Sequence, residues 1–152
     1  MLSWRSGDRR RDATVRHEDP ILVTVDVPDD IVLARQAGHD LATDLGFSLT
    51  DVTMIATAIS EIARNITSYA GNGEIRLFVD DREGRKALVV IADDDGPGIK
   101  DVKRALEDGY SSGFGLGLGL PGARRLMDRL VLTSELGKGT RVEMWKWVPP
   151  SA

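Results

Sequence analysis

Four short stretches combine residues that can do chemistry with residues that let a ligand approach the backbone. In SEIARN, Glu61 and Asn65 are four apart, so a helix stacks them one turn apart on one face. A carboxylate and a carboxamide so placed can hold a hydrated cation or a water, or can form an ordinary solvated face. In ADDDGPGI, three aspartates run into Gly96, Pro97 and Gly98. Adjacent carboxylates repel unless something binds there, and the glycines allow sharp turns and close backbone approach. An aspartate at this point can accept a hydrogen bond from an exocyclic amine such as that of adenine; the same letters also make a tight acidic turn. In GFGLGLGLPGARRLMD, Gly113, Gly115, Gly117 and Gly119 can turn N–H groups toward an anion, while Leu116, Leu118 and Leu120 can anchor the loop. A helix starting at Leu120-Pro121 would offer a phosphate free N–H groups and the positive end of its dipole. The fourth stretch is GKGT, Gly137 to Thr140, either a plain hairpin turn or part of the same site.

These stretches need elements to position them. ILVTVDV (Ile21 to Val27) is short and β-branched, hence a strand. Pro28, Asp29 and Asp30 suit a helix start, and Leu33, Ala37, Leu41 and Leu45 recur at helical spacing up to Gly46. Ser48 or Thr50 can cap a second helix. Its stripe is Val52, Ile55, Ala56, Ile59, Ala63 and Ile66; it reaches Tyr69 and stops at Gly71. EIRLFVDD and KALVVIADD read as strands joined around REGR, so the three aspartates end a strand. A helix over Pro121 to Met127 follows, then a hairpin of LVLTSEL and TRVEMWKWV around GKG. The expected fold class is α/β: a two-layer sandwich with a mixed, mostly antiparallel sheet and helices on one face. Trp145 and Trp147 share a strand face with Glu143, which is either core or an open surface for a partner.

Composition bounds the function. The chain has 152 residues, 41% hydrophobic and 29% charged, with a formal charge of −4. It suits one soluble domain over residues 19–150, preceded by a polar, flexible tail over residues 1–18. The acidic balance gives no reason to expect nucleic acid. Without cysteine there is neither a disulfide nor a thiolate metal site, and His17 and His39 are isolated. No apolar run is long enough to span a bilayer and no secretory leader is present, so the reading is cytoplasmic, away from any membrane. A phosphate loop of the G-x-x-x-x-G-K-[ST] kind is absent. Gly117, Gly119 and Gly122 match G-x-G-x-x-G, but DGYSSGFG precedes them where a dinucleotide-binding loop needs a strand.

The order E-x-x-x-N, D-x-G-x-G, glycine-rich segment, G-x-G-T resembles the GHKL ATPase family of gyrase B, histidine kinases and MutL, from Ile21 to Val148. SEIARN, DGYSSGFGLGLGLPGARRLMD and GKGTRVEMWKW look like the RsbT-type switch serine kinases of partner-switching pathways and stressosomes. The resemblance implies a Bergerat ATP-binding fold that uses ATP and Mg²⁺. It implies that Asn65 coordinates Mg²⁺, that Glu61 is the general base, and that Asp94 accepts from the adenine amine. Gly96 and Gly98 would give the base room, with Thr140 supporting it through water. Gly113, Gly115, Gly117, Leu118 and Gly119 would close over the phosphates, with Asp108 to Ser112 as the moving part. Arg64, Lys103 and Arg104 are candidates to meet the γ-phosphate.

The implied acceptor is a serine or threonine of a STAS-domain protein, with a PP2C-type phosphatase as a downstream partner. Histidine kinases usually carry Asn where Glu61 stands, and a hydroxyl benefits from a base more than an imidazole does. Two alternatives remain: an anti-sigma factor kinase of SpoIIAB or RsbW type, and a nucleotide-switched binding module without kinase activity. A homodimer is left open.

Overall fold

The computed structural model describes residues 19–107 and 119–150. The tail expected over residues 1–18 lies outside them, as do Gly113, Gly115, Gly117 and Leu118. Five strands form one sheet in the order β1-β2-β3-β5-β4: β1 (Ile21–Val25), β2 (Gly73–Arg82), β3 (Arg85–Asp94), β4 (Arg129–Glu135) and β5 (Gly139–Trp147). The helices are α1 (Asp29–Asp44), α2 (Leu49–Asn65), the single turn α3 (Val102–Ala105) and α4 (Gly119–Leu126). The α/β sandwich holds, but every pairing among the described strands is antiparallel rather than mixed. The reason is topological. β3 and β4 run the same way, yet β5 returns between them and pairs with both.

Local chemistry sets the element ends. The Asp30 carboxylate accepts from the N–H groups of Asp26 and Val27, closing the turn into α1. Ser48 caps α2 by accepting from Asp51 N–H at 3.1 Å. β2 and β3 meet through Glu83 and Gly84, both at positive φ, as a tight two-residue hairpin loop requires. After Asn65 the second helix widens into a π turn over Ile66–Ala70, closed by Gly71 N–H on the Ile66 carbonyl at 2.9 Å. Such turns add one residue to a helix and gather at functional sites.

The main core lies between the helices and one sheet face. All six stripe residues expected on α2 are buried. On α1 the stripe is displaced: Ala34, Gly38 and Ala42 face inward, with Ile31, Ala37, Leu41 and Leu45 packed beside them. Leu33, expected on that stripe, is 59% exposed. Small residues win the inward face because α1 rides close to α2; a Cβ added to Gly38 would lie 2.2 Å from Ile59 Cδ1.

The other sheet face carries Ala87, Val89, Ile91 and Trp145, flanked by Phe78 and Trp147. No helix among the described residues covers it. It is covered instead by its own long side chains: the Arg82 guanidinium lies 4.9 Å from the Trp145 ring centre and that of Arg85 4.4 Å from Trp147. Trp145 also donates its indole N–H to Glu143. The tryptophans are thus away from the helices, and Trp145 is buried all the same.

Ile59→Ala should destabilise the fold by about 2–5 kcal/mol, whereas Leu33→Ala should change it by less than about 0.5 kcal/mol. Urea unfolding of the two variants beside the parent checks both, and equal losses would contradict the placement of α1.

Candidate active site

The first half of the site is built on α2. Burial of its apolar stripe turns the last helical turns toward α4, which packs against α2. Glu61 lies in this contact and is only 8% exposed. A buried carboxylate needs donors on both oxygens. Oε1 accepts from Gly119 N–H at 2.9 Å, at the start of α4, and Oε2 accepts from Arg64 Nη1 at 2.9 Å. Gly119, implied by the resemblance to meet phosphate, therefore directs its N–H at Glu61. Pro121 follows in the first turn of α4, where its missing N–H is harmless.

Asn65 lies one turn beyond Glu61, half-buried, and its carboxamide has no hydrogen-bond partner among the described residues. Its carboxamide oxygen, on the face shared with Glu61, could supply one ligand to Mg²⁺, which keeps waters and substrate phosphate oxygens for the others. No group of three His, Cys, Asp or Glu among the described residues could hold a metal by itself. Arg64, a candidate phosphate cation, is paired with Glu61, while Lys103 and Arg104 lie on the exposed turn α3.

The second half lies where β3 leaves the sheet. The three aspartates diverge. Asp93 faces the helix-free side and takes a bidentate ion pair from Arg141, at 2.8 and 3.1 Å. Asp94 faces the helix side, opposite Thr140, and its Oδ1 accepts from Gly96 N–H at 2.9 Å. Burial pushes the Asp94 carboxyl above its ordinary value. The N–H groups of Gly96 and Thr140 pull it back, and the charges of Asp95 and Asp93 push with burial.

The D-x-G-x-G loop is clamped against its neighbours. A Cβ on Gly96 would sit 2.6 Å from the Ala70 Cβ, so the π turn of the second helix rests on this glycine. Gly98 has φ +82, and a Cβ there would be 2.3 Å from the Glu135 carbonyl oxygen. From the opposite side, a Cβ on Gly139 would meet the Asp94 carbonyl oxygen at 2.0 Å. Gly137 N–H closes the clamp on the Pro97 carbonyl at 2.8 Å.

Thr140 is buried beside Asp94. Its hydroxyl lies 2.8 Å from Ser134 Oγ. Ser134 accepts from Ile99 N–H at 2.7 Å and donates to the Gly139 carbonyl at 3.0 Å. With its single proton donated to Gly139, Ser134 accepts from the Thr140 hydroxyl, which keeps its own lone pairs. Ser134 and Ala70 are the supports that sequence reasoning missed. Ser134 sits at an ordinary strand position, and Ala70 gains its role only through the π turn.

Two sets of groups therefore meet near the C-terminal end of the second helix. Glu61, Asn65 and Gly119 form one; Asp94, Gly96, Gly98 and Thr140 form the other, joined to the first by Ala70 against Gly96. Gly113, Gly115, Gly117 and Leu118 lie outside the described residues. The pattern for histidine kinase-, DNA gyrase B-, and HSP90-like ATPases matches residues 50–150, and the chain belongs to that family.

Within the family it is 50% identical over 119 residues to the serine/threonine-protein kinase RsbT of Bacillus subtilis, covering 78% of this chain and 90% of that one. That similarity supports protein serine/threonine kinase activity. The anti-sigma F factor of Clostridium acetobutylicum is more distant, at 31% identity over 74% of this chain and 82% of its own. The solved RsbU and RsbW domains of a Mycobacterium tuberculosis protein share the fold, with a TM-score of 0.59 at 18% identity. The match covers 88% of this chain and 34% of that longer one.

Gly98→Ala should cost about 1–3 kcal/mol and weaken nucleotide binding, measured by urea unfolding and by titration with a fluorescent ATP analogue. Asp94→Asn should separate stability from binding. The folded carboxyl titrates above its ordinary 3.8, so its contribution favours the fold at low pH and is lost as pH rises through the folded value. Asp94→Asn should therefore raise Tm at neutral pH, with the gain vanishing below 3.8, while nucleotide affinity falls. A Tm gain that persisted in acid would contradict this origin.

Proposed function

We propose that this protein transfers the γ-phosphoryl group of ATP to a serine or threonine hydroxyl of a STAS-domain protein, as an RsbT-type switch kinase of a bacterial partner-switching pathway. The observation that carries the reading is the buried carboxylate of Glu61 one helical turn before the half-buried carboxamide of Asn65. A nucleotide sensor has no need of a base at that position, whereas a hydroxyl nucleophile does.

Asp94 accepts from the exocyclic amine of adenine, and the glycines at 96 and 98 leave room for the ring. Thr140 supports the same end with the lone pairs that Ser134 leaves it. Asn65 would hold Mg²⁺, which neutralises phosphate charge when bound. Glu61 takes the proton of the acceptor hydroxyl as the Oγ–phosphorus bond forms. The bond from phosphorus to the β-phosphate oxygen breaks, ADP leaves with that electron pair, and Glu61 returns its proton to solvent. Phosphoryl transfer asks mainly for position and charge, and both halves of the site supply position.

The setting is the cytoplasm; no helix among the described residues is long and apolar enough to cross a membrane. A PP2C-type phosphatase would be the downstream partner of the free kinase. The similarity to anti-sigma F factors supports a second reading, in which the nucleotide-bound protein holds a sigma factor.

The test is transfer from labelled ATP with Mg²⁺ to purified STAS proteins, with Glu61→Ala, Asn65→Ala and Asp94→Asn in parallel. The expected result is labelling of a STAS serine or threonine, reduced at least about 100-fold by Glu61→Ala and also lost in Asn65→Ala. Nucleotide binding without transfer to any STAS protein, together with capture of a sigma factor, would favour the second reading. Absence of nucleotide binding would overturn both.

A further inference from the structure

We infer that Arg64 is a positioning residue for the transfer step, aiming the Glu61 carboxylate without contacting the nucleotide. The inference rests on Glu61 acting as the base. Glu61 has one donor on each oxygen, and the two donors differ in kind. Gly119 N–H is backbone at the first residue of α4, so Oε1 is pinned to the helix start at 2.9 Å. The donor to Oε2, Arg64 Nη1 at 2.9 Å, belongs to a long side chain that is 42% exposed. A fixed donor on one oxygen leaves the carboxylate free to pivot about that contact. The second donor removes the pivot, so the two bonds together define the carboxylate plane.

The geometry also says which oxygen works. Releasing Oε1 would unseat the first turn of α4 from α2, because that oxygen is its N-terminal partner. Releasing or sharing Oε2 disturbs only a side chain with access to solvent. Oε2 therefore faces the incoming hydroxyl, and Arg64 holds it there until the hydroxyl arrives. Arg64 is placed for this by the helix itself: three residues after Glu61, its guanidinium reaches back along the same face. Glu61 is only 8% exposed, so losing this donor also costs some stability; the split between kcat and KM and the rescue by lysine separate aim from folding.

The experiment measures steady-state transfer to a STAS acceptor by the full chain carrying Arg64→Ala, Arg64→Gln, Arg64→Lys, Glu61→Gln, or Glu61→Gln with Arg64→Ala. Arg64→Ala and Arg64→Gln should lower kcat by about 10- to 100-fold with KM for ATP changed less than about twofold, measured well below a Tm that falls modestly. Arg64→Lys, which keeps a long, charged donor on the helix, should recover part of the loss. Adding Arg64→Ala to Glu61→Gln should cost nothing more, because the group being aimed is gone.

Unchanged kcat in Arg64→Ala beside an inactive Glu61→Gln would overturn the positioning role and leave the base intact. A rise in KM for ATP at constant kcat would overturn it in favour of a phosphate contact. Full transfer by Glu61→Gln would remove the base reading itself. Should Arg64→Ala fold poorly, Arg64→Gln keeps most of the aliphatic stem while removing the charge and decides the same question.

Discussion

The register between β3 and β5 is the constraint on which the nucleotide end depends. Asp94 stands opposite Thr140, and its neighbour Asp93 stands opposite Arg141. Because strand side chains alternate, that register sends Asp94 and Thr140 together to the helix side and the Asp93–Arg141 pair to the other. A slip of one residue in β5 would set Arg141 opposite Asp94, where Thr140 belongs. Two glycines lock the register at its end. Gly139 passes against the Asp94 carbonyl and Gly98 against the Glu135 carbonyl, closer than any side chain allows. The site is thus a consequence of sheet pairing before it is a set of side chains.

The phosphate end depends on a different contact, helix against helix. A carboxylate buried between α2 and α4 is tolerable only with donors on both oxygens, and one donor is the first N–H of α4. The same oxygen therefore satisfies an orphan helix N–H and fixes the approach of the two helices. Function and packing share an atom here, and altering Glu61 touches both. A charge-preserving view of the site, with Arg64 and Glu61 as one unit, describes it better than a set of separate residues.

Much of this was readable from the amino acids, for reasons tied to particular elements. The stripe of α2 is strongly periodic and apolar, and each of its six residues is buried. The two hairpins announced themselves through Glu-Gly and Gly-Lys-Gly between β-branched runs. Where reading failed, tertiary contact decided. Leu33 looked like core because leucine at helical spacing usually is, but close approach to Ile59 reserved the inner face of α1 for Ala34, Gly38 and Ala42. The mixed sheet was expected because two helices and then one are interspersed among the strands, and periodicity holds no sign that β5 inserts between β3 and β4. The tryptophan face could not be assigned from alternation, since Arg82 and Arg85 bury rings on a side without helices. Ser134 carried no signal, because its part comes from three hydrogen bonds that converge only in the folded hairpin.

The π turn after Asn65 sets the angle between the two ends of the site. One extra residue in a helix rotates everything beyond it by about 100°, since each residue occupies that share of a turn. In a regular helix, the face carrying Glu61 and Asn65 would continue into the last turn, and Ala70 would point elsewhere. The insertion lets one helix serve two masters: its body faces α4 and the phosphate end, and its tip rests on Gly96 at the adenine end. It behaves as a fixed angular offset between the two halves of a binding site, set by residue count and indifferent to which side chains line either half.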